Sequence, residues 1–188
     1  MKKSTSIFMS VAVALSLSAC NQKHSDDSKE VAEEQNETKF EDSNKEDDTE
    51  FAVAAADGGM LEVKLGQLAQ TNASSSQVKE FGQSMINDHS KANEELMALA
   101  QQKNISLPQT LSDKNQKKYD DLLEKKGEEF DKAYTKFMVD DHEDDVDEFK
   151  KEADKGNDME IKAWASGKVS TLEHHLEMAK AAKEAVHK

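Results

Sequence analysis

The sequence predicts an all-α protein whose folded part is a four-helix bundle with a short extra helix in the crossover between its second and third helices. Three observations predict it. From Thr49 onward there is a single proline, Pro108; apolar residues recur every three or four positions through four long stretches; and no alternating apolar pattern is long enough to make a strand.

The first helix is expected over about Thr49 to Thr71, with Phe51, Ala54, Ala55, Leu61, Leu65, Leu68 and Ala69 on one face. Gly58 and Gly59 weaken it but let a neighbour approach closely. The serines at 74 to 76 supply an N-cap for a second helix reaching Lys103, with Val78, Phe81, Met85, Ala92, Leu96 and Leu99 inward and Asn104 as its stop. The link over 105–127 contains Leu107-Pro108, a cap at Ser112 and a short helix ending before Gly127. A third long helix spans about Glu129 to Lys155, with Phe130, Tyr134, Met138, Val146, Phe149 and Ala153 inward and Gly156 as its stop. The fourth runs from about Asp158 to His187, presenting Ile161, Trp164 or Ala165, Val169, Leu172, Leu176, Ala179 and Val186. The turns near 72–74 and 156–157 permit only antiparallel hairpins. The long middle link can cross a bundle about 40 Å tall, at 1.5 Å of rise per residue, which would set helices two and three parallel.

The preceding residues divide into two further parts. Residues 1–19 read as a signal peptide: Lys2 and Lys3 supply the charge, and Ile7 to Leu17 is an apolar run too short to span a bilayer. Leu17-Ser18-Ala19-Cys20 resembles a bacterial lipobox, so Cys20, the sole cysteine, is expected to carry the lipid; no disulfide within the chain is then possible. Residues 20–48 are dominated by acids and read as an unstructured tether between this anchor and the domain at 49–188. The expected location is the bacterial cell envelope, at the periplasmic or surface face of the outer membrane.

The formal net charge is −14 and there is no arginine. Nucleic acid and anionic headgroups are poor partners for such a chain, which attracts divalent cations instead. No activated serine or cysteine nucleophile pattern and no glycine-rich phosphate loop is present, so hydrolase and nucleotide-binding readings lack support and an enzyme is not the expectation.

Two near-copies, Met85-Ile86-Asn87-Asp88-His89 and Met138-Val139-Asp140-Asp141-His142, carry the functional signal. His89 and His142 continue the inward stripes of helices two and three, His175 lies between Leu172 and Ala179 in helix four, and Glu62 edges the stripe of helix one. Four ligand-type side chains thus share the middle of four helices, with Asp88 and Asp141 beside them as ligands or ligand supports. Neutral imidazoles with a carboxylate suit zinc, and also iron, manganese or copper. Met85, Met138 and Met178, each a turn from a histidine, fit copper(I) or simply fill core gaps. Without a metal, the same residues could form a hydrogen-bonded layer that fixes helix register in a structural or interaction protein.

Several stretches resemble the bacterial domain of unknown function 4142 family, which belongs with the ferritin-like four-helix bundles. They are Phe51 with Gly58-Gly59-Met60-Leu61-Glu62-Val63 and Leu65-Gly66-Gln67-Leu68-Ala69; Phe81, Met85, Asp88, His89, Ala92, Asn93 and Leu96; Phe130-Asp131, Tyr134, Met138, Asp141 and His142; and Leu172 with His175. The resemblance covers residues 51–182 and implies the fold, while the family's activity is undefined. Ser170 stands where the family often has proline. Ferritin-like di-iron sites pair glutamate with histidine three residues on, yet Ile86, Val139 and Leu172 precede the three histidines, so a mononuclear site of Glu62, His89, His142 and His175 is expected.

Overall fold

The structure, a computed structural model, describes residues 27–41 and 43–187. The proposed signal peptide and Cys20 lie outside the described residues, as does His24. Among those described, the chain is all-α, with helices α1 (Ser28–Phe40), α2 (Glu46–Asn72), α3 (Ser76–Lys103), α4 (Asp113–Leu123), α5 (Gly127–Lys155) and α6 (Met159–Val186). None of these helices is long and apolar enough to cross a membrane.

Most of the caps are those the sequence suggests. Ser75 accepts from Val78 N–H and Ser112 from Asn115 N–H; Asp158, expected as the first residue of the last helix, instead caps it by accepting from the N–H groups of Glu160 and Ile161. Asn104 ends α3 in the left-handed conformation at φ 58°. Gly127, expected just beyond the short helix, opens α5 with φ 60°.

Helix α1 corrects the tether. The stretch 28–40 lacks an apolar stripe, and polar contacts to the chain after α3 hold it in place. Asn36 clasps the backbone of Ser106 twice, donating to its carbonyl (2.8 Å) and accepting its N–H (2.7 Å). Asp27 accepts from Lys29 N–H in α1 and from Asp113 N–H at the start of α4, both at 2.8 Å. Ala32 is buried, and Phe40 packs against the cluster that holds Ala52, Leu96 and Ile161. The first long helix also begins three residues early, at Glu46.

Buried aspartates set the relative heights of the long helices. At one end, Asp48 of α2 accepts the N–H groups of Asn157 (2.8 Å) and Asp158 (2.7 Å) in the α5–α6 turn, and Lys103 of α3 sits 2.7 Å from Asp158. At the other, Asp131 of α5 accepts from Ser74 N–H (3.2 Å), Ser74 Oγ–H (2.5 Å) and Ser75 N–H (2.9 Å) in the α2–α3 turn. Midway, Asp57 accepts Ser112 N–H (2.8 Å) and Oγ–H (2.6 Å), which starts α4 along α2, and Asn72 takes up the carbonyls of Leu123 and Lys125 where α4 ends. The crossover therefore runs the length of α2, and α3 and α5 are parallel. Around the core, α2 packs on α3 and α5, and α6 packs on α3 and α5. Where α2 crosses α3 the backbones touch: a Cβ on Gly66 would lie 2.6 Å from the Gly82 carbonyl oxygen. Gly59 admits the Asn93 side chain, whereas Gly58 faces open space.

Glu152, buried near Asp48, has one carboxylate oxygen without a hydrogen-bond partner. Burial, and then the neighbouring Asp48 carboxylate, push its pKa up to about 7. A raised carboxyl pKa means the folded state holds the proton longer, so this group's contribution is present below about pH 4.5 and is lost as pH rises through 7. Glu152→Gln is expected to unfold at higher urea than the parent at pH 8, by on the order of 1 kcal/mol after allowance for solvent screening, and to match it at pH 4. Equal pH profiles would contradict this.

Candidate metal centre

Two apolar clusters fill the interior. One holds Leu61, Leu65, Phe81, Met85, Tyr134 and Met138; the other holds Ala52, Ala56, Leu96, Ala100 and Ile161. Between them, from four different helices, project Glu62 (α2), His89 (α3), His142 (α5) and His175 (α6), all buried. Sequence reasoning placed these four at one height, and the fold brings them into contact. The imidazole rings form a near-equilateral triangle, with centroids 5.9 Å (His89–His142), 5.2 Å (His89–His175) and 5.6 Å (His142–His175) apart. Each ring can offer a nitrogen such that all three nitrogens lie within 4.8 Å of one another.

Burial sets the protonation. It lowers His89 to about 4, His142 to about 3 and His175 to about 4, so all three rings are neutral at pH 7 and have lone pairs to give. Glu62 is raised well above its ordinary value, first by burial and then by Asp141.

Hydrogen bonds then fix most of the tautomers. The Asp88 carboxylate accepts from His175 Nε2–H at 2.9 Å, leaving His175 Nδ1 bare. That bare nitrogen is 3.3 Å from His89 Nε2, and His89 Nδ1 is 2.6 Å from Glu62 Oε2. Protons alone can satisfy this chain if Glu62 is protonated and donates to His89, which donates to His175. They do not satisfy His142. Its Nδ1–H donates to the Met138 carbonyl at 3.0 Å, so Nε2 is an acceptor, and it faces Glu62 Oε1 at 3.4 Å. Both atoms are buried with no hydrogen-bond partner. Two bare acceptors facing each other in a low-dielectric interior are costly unless a cation lies between them.

A family model described as "Domain of unknown function (DUF4142)" matches residues 31–182. The chain belongs to this family. The match takes in most of α1 as well as the region from residue 51 that carries the resemblance, so the family unit includes the helix that the composition disguised as tether. No characterised protein and no solved structure matches the chain.

Asp88 and Asp141, expected in support of the histidines, fall differently in this family member. Asp88 reaches across to His175 on α6 rather than serving its neighbour His89. Asp141 joins Glu62, His142 and Asp145 in a second set of potential ligand atoms within 4.8 Å. Asp145 was missed, although its position one turn beyond Asp141 is the signal that could have found it. Met85 and Met138 are fully buried within the apolar cluster, where gap filling accounts for them. A cleft of about 140 Å³ bordered by Gly58, Trp164 and Lys168 reaches Glu62, His89 and His175 from the surface. The bare Gly58 backbone keeps that wall open.

Proposed function

We propose that this protein is a lipid-anchored envelope protein whose ferritin-like four-helix bundle holds one divalent transition metal of the zinc class at mid-height, through His89, His142, His175 and Glu62. The observation that carries the reading is the pair His142 Nε2 and Glu62 Oε1, 3.4 Å apart, both buried and without a hydrogen-bond partner. At metal–ligand distances of about 2.0–2.1 Å the edge of a coordination tetrahedron is about 3.3–3.4 Å. The His89 Nε2–His175 Nδ1 separation of 3.3 Å is of the same length. Neutral rings whose other nitrogens bond a backbone carbonyl or a carboxylate are what a metal-binding histidine needs in order to hold its tautomer. A bound metal would supply a Lewis acid reachable through the cleft.

The test is equilibrium dialysis of the purified protein against zinc, with His89→Ala, His175→Ala and Asp88→Asn. One equivalent in the parent, its loss in both histidine variants, and an affinity reduced about 10–100-fold in Asp88→Asn are expected. Equal binding in parent and histidine variants, or none in the parent, would sink the reading.

A second reading rests on the continuous Glu62–His89–His175–Asp88 chain, which protons alone can complete. In it the layer is a register device in a structural or interaction lipoprotein. It leaves His142 Nε2 unexplained, and His142→Leu would then be neutral or stabilising. Attachment through Cys20 is a separate part of the proposal, and Cys20→Ala should move the protein out of the membrane fraction.

A further inference from the structure

Away from the metal centre, at the end of the bundle where Asp48 holds the α5–α6 turn, α1, α2 and α5 border a surface cavity of about 260 Å³. Six carboxylates and three lysines line it, so its charge is negative. Lys29 and Glu33 of α1 pair with each other at 3.1 Å, while Lys151 and Lys155 of α5 are exposed. Asp47 and Glu50 of α2 and Glu148 of α5 are exposed at the rim. Acidic residues gathered at a surface need no ligand. Glu152 differs from them: it is 7% exposed, and its Oε1 has no hydrogen-bond partner. Oε1 lies where a Cβ on Gly156 would stand, and both residues border the cavity. The neighbouring Asp48 carboxylate is fully buried and already accepts the N–H groups of Asn157 and Asp158. Two carboxylates in such a place need a proton or a cation between them.

We propose that this cavity binds a primary ammonium on a short aliphatic stem, with Glu152 Oε1 and the Asp48 carboxylate accepting its N–H groups. Each carboxylate oxygen has two lone pairs, so Asp48 can accept from the ligand and keep its bonds to the turn. Phe51 and Ala54 give the stem an apolar wall, and the volume falls below that of pockets for drug-sized molecules, which keeps the stem short. A metal ion fits less well. Among the described residues no three ligand-type side chains converge on Glu152 as they do at mid-height, and calcium takes about six to eight oxygens. Burial, and then Asp48, hold the proton on Glu152 up to about pH 7, so binding exchanges that proton for the ammonium. The carboxylate form binds; affinity therefore falls about tenfold per pH unit below 7 and levels off above it. The site shares no residue with the metal centre.

The experiment is isothermal titration of the purified protein with n-butylammonium at pH 6 and pH 8, in buffers of different ionisation enthalpy that count the protons released. Tetramethylammonium, which has the same charge but no N–H donor, and a lysine capped at both backbone ends are titrated alongside. Glu152→Gln and the rim variant Glu148→Gln are compared with the parent, and helical circular dichroism checks each fold. The expected result is one equivalent of n-butylammonium, releasing about 0.9 proton at pH 6 and about 0.1 at pH 8. Glu152→Gln should weaken it about 10–100-fold and abolish the proton release, Glu148→Gln should cost less than about fivefold, and tetramethylammonium should bind at least about tenfold more weakly. Capped lysine binding as well as n-butylammonium supports the site and assigns it to a lysine side chain of a partner; n-butylammonium alone supports it and assigns it to a free amine. No saturable binding, parental binding in Glu152→Gln, or tetramethylammonium binding as tightly as n-butylammonium overturns the proposal. Equal losses in the Glu148 and Glu152 variants also overturn it, since the amine would then respond only to diffuse charge.

Discussion

His142→Ala is expected to abolish zinc retention while the helical signal persists. Its ring contributes the nitrogen that faces Glu62 Oε1, with its tautomer fixed by the Met138 carbonyl. The loss should exceed the about 10–100-fold that removal of a supporting partner such as Asp88 costs. The variant also leaves a cavity beside Phe81, whose ring centroid lies 6.3 Å from that of His142, and a destabilisation of about 2–3 kcal/mol is expected from large-to-small replacement in a core. Glu62→Gln separates the two effects, because the amide fills the same space and can still donate to His89 Nδ1. It should weaken zinc binding with a stability change under about 1 kcal/mol. Dialysis and urea unfolding of both variants check this. Zinc binding unchanged in His142→Ala would contradict the assignment.

Asp131→Ala is expected to be the most destabilising of the polar substitutions. Three donors from Ser74 and Ser75 converge on its buried carboxylate, and all three would lose their acceptor at the partly buried α2–α3 turn. The cost is about 3 kcal/mol, read as a lowered urea midpoint with unchanged slope. Because this contact sets the height of α5 against the α2–α3 turn, it also sets the height of His142 against His89. A weaker metal affinity should accompany the lost stability, although Asp131 lies far along α5 from the histidines. A midpoint within error of the parent would show that water or neighbouring groups replace the carboxylate.

The long helices were legible because their apolar residues repeat at helical spacing and their ends carry ordinary caps: Ser75, Asn104 and Ser112 each act as the sequence suggests. His89, His142 and His175 were legible for the same reason, since each falls within an otherwise apolar stripe, and Glu62 because it edges one. At 164–165 the sequence left the choice open, and Ala165 is the fully buried residue while Trp164 is half-buried. What stayed hidden depends on contacts between residues far apart in the chain. Helix α1 is held by Asn36 on Ser106 and Asp27 on Asp113, polar contacts that leave no periodic trace. Asp88 could not be assigned to His175 because the partner lies on another helix, 87 residues away. Asp145 looks like one more solvated acid of α5 until Glu62 is brought beside it. The ring tautomers, which decide whether protons can satisfy the layer, depend on distances that no spacing rule supplies.

X-ray absorption at the zinc edge of the loaded protein tests the central claim most directly. The account predicts a first shell of nitrogen and oxygen only, at about 2.0–2.1 Å, with outer-shell scattering that requires three imidazoles. A shell with one imidazole or none, dominated by carboxylate oxygens, would contradict the three-histidine centre and place the bound ion elsewhere on this acidic chain.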